Sequence, residues 1–523
     1  MTETATETVT AVLPPDALSP IQRAYLVGEQ AGMELSGPAR YYVGCDLDPG
    51  CVPGLGDRLR RLVRANPVLR VALADDLSMP VLPEAAADET DVEIRRVADA
   101  DFDAVDTAVR EACTADTFAF AGGPRLRVVA VCSEQRARLH LVYALWLMDA
   151  ASLDVFLAAL VSDRAATGTA PAGVSGAAGG RDRSARDRRF WSERAAALPE
   201  PTELPLRPDW RHAGPDVTHR MLTVDAATAS ALAETAREHG LTPAMVYLAV
   251  YGVLLGRLGG GVPHTLTVLY SRRAGQRPAL DALGNHGTTM PLEIPATTGQ
   301  GFAGIAGTVQ RRYLTQALHG SLSGAEIARL ADPGGDPRRL PYPFAFTALA
   351  ADGRREADLG FRRRWDEVQL RVPQVLLDHQ VVMDADGSVR LGFDWRTDAF
   401  DAGFVEDFVG QYADLVGELA ESRDHWARLP YRTPAPARPL VPVAGETLHD
   451  RVMRRAAQAP DAPAVHDEQG TLGYAELAAH AAAVGGGRRG AGGAAGTPPA
   501  RPGRGESRIS RSSLGVSRAL TPR

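Results

Sequence analysis

Two aspartates interrupt apolar stretches of this 523-residue sequence, in surroundings where a carboxyl group can take part in chemistry. Asp149 ends the run RLHLVYALWLM, and Ser152 follows three residues later. Asp378 follows the apolar VLL and precedes His379 and Gln380, so we expect it to be partly buried. Because burial raises the pKa of a carboxyl group toward neutrality, such an acid can both deliver and accept a proton.

Each of these positions also has a purely structural interpretation. Asp149 lies where a predicted strand ends and a helix begins, and acids at such turns commonly orient the local backbone amides. Asp378, taken alone, is typical of a loop acid beside a turn. Thr347, in the apolar segment FAFTAL, is typical of a strand threonine bonded to nearby backbone. From these residues alone, the structural and the chemical interpretations both stay open.

The elements that position these residues follow from hydrophobic periodicity. Ser19 and Pro20 predict the start of a helix, and GLGDRLRRLVRA predicts a second one. RLRVVAVCS and ARLHLVYALWL predict two neighbouring strands, followed by an amphipathic helix in SLDVFLAALVSDR. Further strands are predicted in HTLTVLYS, TTMPLEI, YPFAFTAL, VPQVLLDHQVVM and VRLGFDWR, before a last helix in GFVEDFVGQYADLVGELA. The mixture predicts an α/β (α+β) fold in two halves.

Composition shifts along the chain predict its organisation. The expected segments are a disordered N-terminus (1–17), a first lobe (18–180), a second lobe (181–430), a proline-rich linker (431–445), a short ordered piece (446–484) and a disordered tail (485–523). The tail has eight arginines, one glutamate and almost no apolar periodicity. We interpret its abrupt start after Val484 as a frameshift followed by out-of-frame translation, with a natural split end as the alternative.

Composition also excludes several classes of function. The net charge is −7, so nucleic acid is not an expected partner. All 57 basic residues are arginine, which excludes motifs that need a phosphate-binding lysine. The four cysteines fit no common zinc spacing, so no metal is expected. The N-terminus is acidic and polar, and the longest apolar run is too short for a bilayer, so we expect a cytoplasmic protein with no membrane partner.

Several motifs, in order, carry a resemblance to a known family. LSPIQRAYLVGEQ is similar to an opening motif of heterocyclization domains and supplies Gln22, Tyr25 and Gly28. The same branch carries DxxxxDxxS, and here Asp149 and Ser152 match while Ala144 stands at the first acid. Further matches are LPEPTELPL, LSGAEIARLA with Ser323 and Gly324, PFAFTAL with Thr347, and VPQVLLDHQV with Gln374, Asp378 and Gln380. The chain thus resembles the condensation-domain superfamily of nonribosomal peptide synthetases, and most closely its heterocyclization branch.

The resemblance implies a fold and an activity. The fold would be two lobes, each like chloramphenicol acetyltransferase, in a V with a central tunnel. The activity would join an acyl donor to Cys, Ser or Thr, both carried on phosphopantetheine arms of separate carrier proteins, and then cyclodehydrate the product to a thiazoline or oxazoline. The chain itself would bind no cofactor, and other synthetase modules would be its partners. Residues 446–484 resemble the first stretch of an adenylation domain.

The resemblance also assigns roles to single residues. It makes Asp378 the acid/base and Thr347 its hydrogen-bonding partner. Asp149, Ser152, Gln374 and Gln380 are given positioning roles in the active site. Two alternatives stay open: an atypical condensation domain that forms an amide or ester without ring closure, suggested by the departing segment GNHGTTMPL, and a non-catalytic docking relic, suggested by Ala144 and the tail.

Overall fold

The computed structural model describes most of the chain. The described residues are 11–13, 19–74, 79–115, 125–162, 180–271, 283–297, 299–336, 338–339, 341–350, 356–401, 403–428, 448–467 and 470–480. The chain forms two compact units, Met1–Pro430 and Tyr431–Arg523. Disorder was predicted for residues 1–17. Ala11–Leu13 contradict this prediction, because they form a strand that pairs with Met79–Val81. Residues 1–10 and 14–17 lie outside the described part. The predicted linker at 431–445 and the predicted tail at 485–523 also lie outside it.

The strands of the first unit are β1 (Ala11–Leu13), β2 (Arg40–Leu47), β3 (Met79–Val81), β4 (Val92–Arg96), β5 (Leu126–Cys132), β6 (Ala137–Ala144), β7 (Val217–Val224), β8 (His264–Ser271), β9 (Gly287–Ile294), β10 (Phe344–Ala350), β11 (Phe361–Arg363), β12 (Gln369–Arg371), β13 (Leu377–Met383) and β14 (Val389–Arg396). Its helices are α1 (Pro20–Gly28), α2 (Leu55–Ala65), α3 (Phe102–Thr114), α4 (Ala150–Val161), α5 (Gly180–Arg194), α6 (Ala226–Glu238), α7 (Pro243–Leu258), α8 (Phe302–Ala317), α9 (Gly324–Ala331), α10 (Phe404–Glu421) and α11 (Arg423–Ala427). The predicted mixed α/β fold with two lobes is confirmed, since the strands form two large sheets.

The first lobe is built on a sheet with the order β11-β2-β6-β5-β4. The predicted neighbours β5 and β6 pair antiparallel in full register, and all eight residues of β6 are buried because helices cover both faces of the sheet. Helices α2 and α4 pack on one face, and α3 packs on the other. The helix after Asp149 was predicted to be amphipathic, but α4 buries eight of its twelve residues, including every residue from Phe156 to Val161, and packs against α2.

The second lobe is built on a sheet with the order β7-β14-β13-β10-β8-β9. Strand β10 runs parallel to β13 and β8, and the remaining pairs are antiparallel. Helices α6, α7, α8 and α10 cover one face and share a single apolar core with it. Helix α7 is buried from Met245 to Gly256, as its uniformly apolar sequence predicts.

Two short strands from the second half of the chain belong to the first lobe. Both β11 and β12 pair antiparallel with β2, although they fall inside the range predicted for the second lobe. The predicted boundary at residue 180 therefore does not hold for this segment. Phe361 and Leu370 insert into the first lobe's core, which gives the excursion its apolar stabilisation.

The second unit, Tyr431–Arg523, is small in its described part. It contains helix α12 (Leu448–Gln458) and an antiparallel hairpin of β15 (Pro463–Asp467) and β16 (Gly470–Gly473). No single helix in the described ranges has the length and apolar composition needed to cross a membrane. The pair α6 and α7, bent by 94°, meets that test when its two helices are joined.

Candidate active site

The second lobe's sheet has one face that does not pack on the lobe's helices. Side chains alternate along β13, so Leu377, His379 and Val381 join the helix-covered core, while Asp378 and Gln380 point to the opposite face. We call this opposite face the polar face. It is defined by His219 on β7, Asp394 on β14, Asp378 and Gln380 on β13, and Thr347 on β10.

Asp378 is buried and incompletely hydrogen-bonded. It is 6% exposed, and its Oδ1 has no hydrogen-bond partner among the described residues. Burial first, and then the negative charge of Asp394, raise the pKa of Asp378 to about 7, while a hydrogen bond from the His379 amide opposes the shift. A carboxyl group with this pKa and a free oxygen can give and take a proton near neutral pH.

Asp394 is the direct cross-strand neighbour of Asp378, and sequence reasoning missed it. Its Oδ1 lies 3.0 Å from Nδ1 of His219, and its Oδ2 accepts a hydrogen bond of 3.0 Å from Nε2 of Gln380. Nε2 of His219 lies 3.1 Å from the carbonyl oxygen of Trp365. The sequence signal for Asp394 was a polar residue inside the predicted strand VRLGFDWR, whereas His219 lies in VTHRMLTV, which was not predicted to be a strand.

Thr347 lies on the polar face, 8% exposed, but it is not the direct neighbour of Asp378. In the parallel β10–β13 pair, Thr347 stands beside Gln380, and Ala345 stands beside Asp378. The hydrogen bond that the resemblance implies between Thr347 and Asp378 is absent from the described contacts. The two residues are diagonal neighbours on one face, a separation that long side chains or a bound substrate can bridge.

The turn that leads into β13 is held against α1. Gln374 has a left-handed backbone (φ +61°), unusual for a residue with a side chain, and its amide donates to the carbonyl of Leu35 at 3.0 Å. A methyl group on Gly28 would come within 2.8 Å of the Pro373 ring, so only glycine allows α1 to approach this turn so closely. Tyr25 of the same helix faces the site, since burial and then the charges of Asp378 and Asp149 raise its pKa.

Asp149 and Ser152 fasten the first lobe to the segment before β9. Asp149 caps α4, accepting from the amide of Ser152 at 2.9 Å through Oδ1, and its Oδ2 accepts from the amide of His286 at 3.0 Å. The Ser152 hydroxyl donates to the carbonyl of Gly284 at 2.6 Å and accepts from the Gly284 amide at 2.9 Å. The sequence GNHG, which departs from the branch's pattern, is therefore the binding partner of this turn.

The remaining motif residues lie around these two features. Gln22 completes a capping box with Ser19 at the start of α1, and its Nε2 donates to the carbonyl of Trp146 at 2.8 Å. Ser323 caps α9 in a second capping box. Gly324 packs against Thr289 of β9, since an added Cβ would lie 2.8 Å from its hydroxyl. Gln22 thus braces the turn that carries Asp149, and α9 lies against the sheet edge beside it.

Metal binding has no evident centre here. In the described ranges, no group of three or more His, Cys, Asp or Glu side chains is arranged to hold a metal ion.

Comparison with known proteins shows what this chain is similar to. Residues 174–427 match the family model of the condensation domain. Phenyloxazoline synthase MbtB of Mycolicibacterium paratuberculosis is 30% identical over 92% of this chain and 43% of its own length. Pyochelin synthetase PchF of Pseudomonas aeruginosa is 29% identical over 89% of this chain and 27% of its own length. The chain thus spans less than half the length of these curated relatives.

Solved structures share the fold. The nonribosomal peptide synthetase FmoA3 is 25% identical with a TM-score of 0.65, over 93% of this chain and 52% of that one. The EpoB cyclization–docking bidomain from Sorangium cellulosum has a TM-score of 0.66 at 23% identity, over 80% of this chain and 87% of that one, which shows the fold alone. Residues 174–427 thus match the condensation domain, and the motifs, the two-lobe fold and the relatives of the chain agree with this match.

Proposed function

We propose that this chain is a heterocyclization domain. It joins a carrier-bound acyl donor to carrier-bound Cys, Ser or Thr and cyclodehydrates the product to a thiazoline or oxazoline. The names of the relatives support this proposal, since one is a phenyloxazoline synthase and a protein of the same fold is a cyclization–docking bidomain. Both substrates arrive as thioesters on phosphopantetheine arms of partner carrier proteins, so phosphopantetheine belongs to the substrate.

The reaction has two stages. In the first, the acceptor amine attacks the donor thioester carbonyl, the C–S bond breaks, and the donor arm leaves as a thiol. In the second, the acceptor's side-chain thiol or hydroxyl attacks the new amide carbonyl carbon. The resulting hydroxyl takes up a proton and leaves as water, while the nitrogen loses its proton and the C=N bond forms. One group that first gives and then takes a proton can serve both halves of the dehydration.

Asp378 is the acid/base of this dehydration in our proposal. The observation that carries the assignment is its buried carboxyl, which has a pKa of about 7 and an Oδ1 without a partner among the described residues. A protonated carboxyl in this state donates to the departing hydroxyl, and the resulting carboxylate accepts the proton from the ring nitrogen. Burial keeps bulk water from competing for either proton.

Thr347 and Gln380 are assigned supporting roles beside Asp378. The Thr347 hydroxyl lies on the same face, two residue pairs along the strands, where it can bond a substrate carbonyl or the leaving hydroxyl. Gln380 holds Asp394 through its amide group and so fixes the neighbour of Asp378. Gln374 shapes the strained turn before β13 and sets where this strand begins.

Asp149 and Ser152 act in the proposal as positioning residues. Their four hydrogen bonds to Ser152, Gly284 and His286 hold the start of α4 against the entry to β9. These bonds use both Asp149 oxygens, so Asp149 has less capacity to exchange a proton with substrate than Asp378 has. Ala144, at the position of the branch's first acid, is 3% exposed and packs in the first lobe's core.

Intact-mass analysis of carrier proteins tests the function. Donor and acceptor carriers, loaded with an aryl or aminoacyl donor and with Cys, Ser or Thr, are incubated with the full chain, and the acceptor carrier is weighed. The proposal expects a product one water lighter than the linear amide. Accumulation of only the linear amide would instead support a condensation domain without ring closure, and no transfer with any pair would support a docking relic.

The role of Asp378 is tested by Asp378→Asn in the same assay. The variant should stall at the linear amide, with the dehydration slowed about a hundredfold to ten-thousandfold, the usual cost of losing one general acid/base. Asp386→Asn is the matched control, because this residue lies in the turn between β13 and β14 and accepts hydrogen bonds from Ser388 within that turn. A dehydrated product formed by Asp378→Asn at the native rate would refute the assignment.

A further inference from the structure

Three titratable side chains form one row across neighbouring strands of the polar face. Asp378 on β13 is the register partner of Asp394 on β14, and Asp394 is the register partner of His219 on β7. Asp378 and Asp394 are buried, with Asp394 at 3% exposure, and the side chain of His219 is 9% exposed. Directly opposite positions in a sheet bring like charges close enough to be unfavourable. Two adjacent buried carboxyl groups therefore favour sharing one proton over carrying two negative charges.

Hydrogen bonding decides which carboxyl group keeps the proton. Both oxygens of Asp394 lie at 3.0 Å from a nitrogen, one on His219 and one on Gln380. Hydrogen bonds of this kind stabilise the charged form of an acid. Asp378, in contrast, has an oxygen without a partner among the described residues. The negative charge therefore settles on Asp394, and the proton settles on Asp378.

His219 balances the charge of Asp394. Its two ring nitrogens face two oxygens, the carboxylate of Asp394 at 3.0 Å and the carbonyl of Trp365 at 3.1 Å. A carbonyl and a carboxylate only accept hydrogen bonds, so both nitrogens must carry hydrogen to satisfy them. Burial alone would lower the pKa of His219, but the charge and hydrogen bond of Asp394 raise it above its ordinary value. His219 is thus an imidazolium that keeps Asp394 charged.

We propose that Asp394 and His219 are positioning residues that hold the catalytic proton on Asp378. The row works as a graded set of charges: Asp394 is one strand away from Asp378, at about 5 Å, and His219 is two strands away, at about 10 Å. The nearer negative charge outweighs the more distant positive charge at Asp378. The pair favours the protonated Asp378 that the leaving hydroxyl needs, and His219 limits how strongly it does so.

Other charged or titratable groups face the row from the elements around it. They are Tyr25 of α1, Tyr41 of β2, Tyr251 of α7, Arg396 of β14 and Asp366 in the segment before β12. Burial raises the pKa of the three tyrosines, so they stay neutral near pH 7. The Arg396 guanidinium is held by the carbonyl of Leu35. These groups are unchanged in the variants below, so they cancel from the comparison.

The row predicts pKa shifts of opposite sign for two substitutions. Asp394→Asn removes the nearer negative charge and, with it, the reason for His219 to stay charged, so the pKa of Asp378 should fall. His219→Gln leaves Asp394 charged without its balancing cation, so the pKa of Asp378 should rise. With charges at about 5 and 10 Å and an effective dielectric constant of about 20, each shift is roughly one pH unit. A general loosening of the site would not move the two variants in opposite directions.

Infrared titration of the full chain measures these shifts without any substrate. The protonated-carboxyl band of Asp378 is isolated by subtracting the spectrum of the same protein carrying Asp378→Asn, in the wild-type, Asp394→Asn, His219→Gln and Asp386→Asn backgrounds. Asp386 lies in the turn beyond Met383 and Val389, the last residue pair of the hairpin, and that pair is already five pairs, or roughly 17 Å, from Asp378, so its substitution should leave the band's titration unchanged. If one of the two variants fails to fold, the sign of the other still tests the row.

Only the catalytic role of the proton on Asp378 rests on the proposed function, and the pKa shifts do not. Opposite shifts of about one pH unit support the row, and shifts of the same sign, or shifts no larger than that of Asp386→Asn, overturn it. The dehydration rate, measured against pH in the same variants, should move its Asp378-dependent limb by the same amounts. If the band shifts but no dehydration occurs with any carrier pair, the proposed function fails while the charge row stands.

Discussion

Asp378→Asn should stabilise the protein near neutral pH while it removes ring closure. The folded state raises the pKa of Asp378 from its ordinary value of 3.8 to about 7, chiefly by burial. A group whose pKa is higher in the folded than in the unfolded state stabilises fully below the unfolded pKa, and this contribution is lost as pH rises through the folded pKa. For Asp378 the loss therefore occurs between about pH 4 and pH 7.

The size of this loss follows from the same shift. A difference of about three pH units, at ~1.4 kcal/mol each, gives roughly 4 kcal/mol. Asparagine cannot ionise, so the variant does not suffer the loss. Apart from a constant offset for burying the amide, Asp378→Asn should match the wild type near pH 4 and exceed it by several kcal/mol above about pH 7.

Thermal unfolding of both proteins from about pH 4 to pH 8 measures the difference. Asp225→Asn is a control of opposite sign, since hydrogen bonds from Thr228, the backbone amide first, lower the pKa of Asp225 at the start of α6. Its stabilisation is present above its unfolded pKa and is lost as pH falls, so this variant should lose stability at neutral pH and not in acid. A difference between Asp378→Asn and the wild type that stays constant with pH would contradict the reasoning.

Three further predictions concern the scaffold. Asp149→Ala removes two backbone hydrogen bonds to a carboxylate, so it should lower the free energy of unfolding by about 2–4 kcal/mol and impair amide formation. The control Asp225→Ala loses a helix cap within one lobe and should leave turnover unchanged. Equal turnover in the two variants would show that Asp149 is only a helix cap. Gly28→Ala should lower the free energy of unfolding by about 1–3 kcal/mol, because the added methyl group clashes with the facing proline ring. Gly410→Ala in α10 has open space around it and should raise the free energy of unfolding by about 0.5–1 kcal/mol, and paired urea titrations measure both effects. Truncation after Arg438 should leave melting temperature and turnover unchanged, and a large loss of either would show that the second unit supports the first.

Sequence patterns predicted the helices well where interactions between neighbouring residues determine them. Ser19, Pro20 and Gln22 form the expected cap of α1, and the apolar spacing in α2 gives the buried face formed by Leu55, Leu59, Leu62 and Val63. Short-range hydrogen bonds and helical periodicity decide these features, and both are written in neighbouring residues.

Contacts between distant parts of the chain were less predictable. Strands β11 and β12 have three residues each and a mixture of arginine and apolar side chains, so no periodicity marks them as part of the first lobe. The link from Asp149 to the His286 amide spans 137 positions and uses a backbone group that every residue type offers. Such pairings depend on how the two sheets meet, and a single sequence does not specify that.

The charge row illustrates the same limit at the site. Asp378 was predicted from its motif, but its register against Asp394 depends on the length of the turn between β13 and β14, and the third member lies on a strand more than 150 residues earlier. A one-residue slip of β14 would put Asp394 on the helix-covered face and replace it by a neighbour. The residues that tune the acid are therefore visible only once the sheet is assembled.

The hydrogen bonds of three aspartates separate their roles. Both oxygens of Asp149 are hydrogen-bonded to backbone amides at the junction of the lobes. Both oxygens of Asp394 are hydrogen-bonded to side chains, one to His219 and one to Gln380. Asp378 alone of the three keeps an oxygen without a partner in the described contacts, at a site where an unmet buried acceptor is costly. Retaining a proton reduces that cost in the resting enzyme, and a bound substrate can remove it. The acid that the fold leaves least satisfied is thus the one best prepared to exchange a proton with substrate.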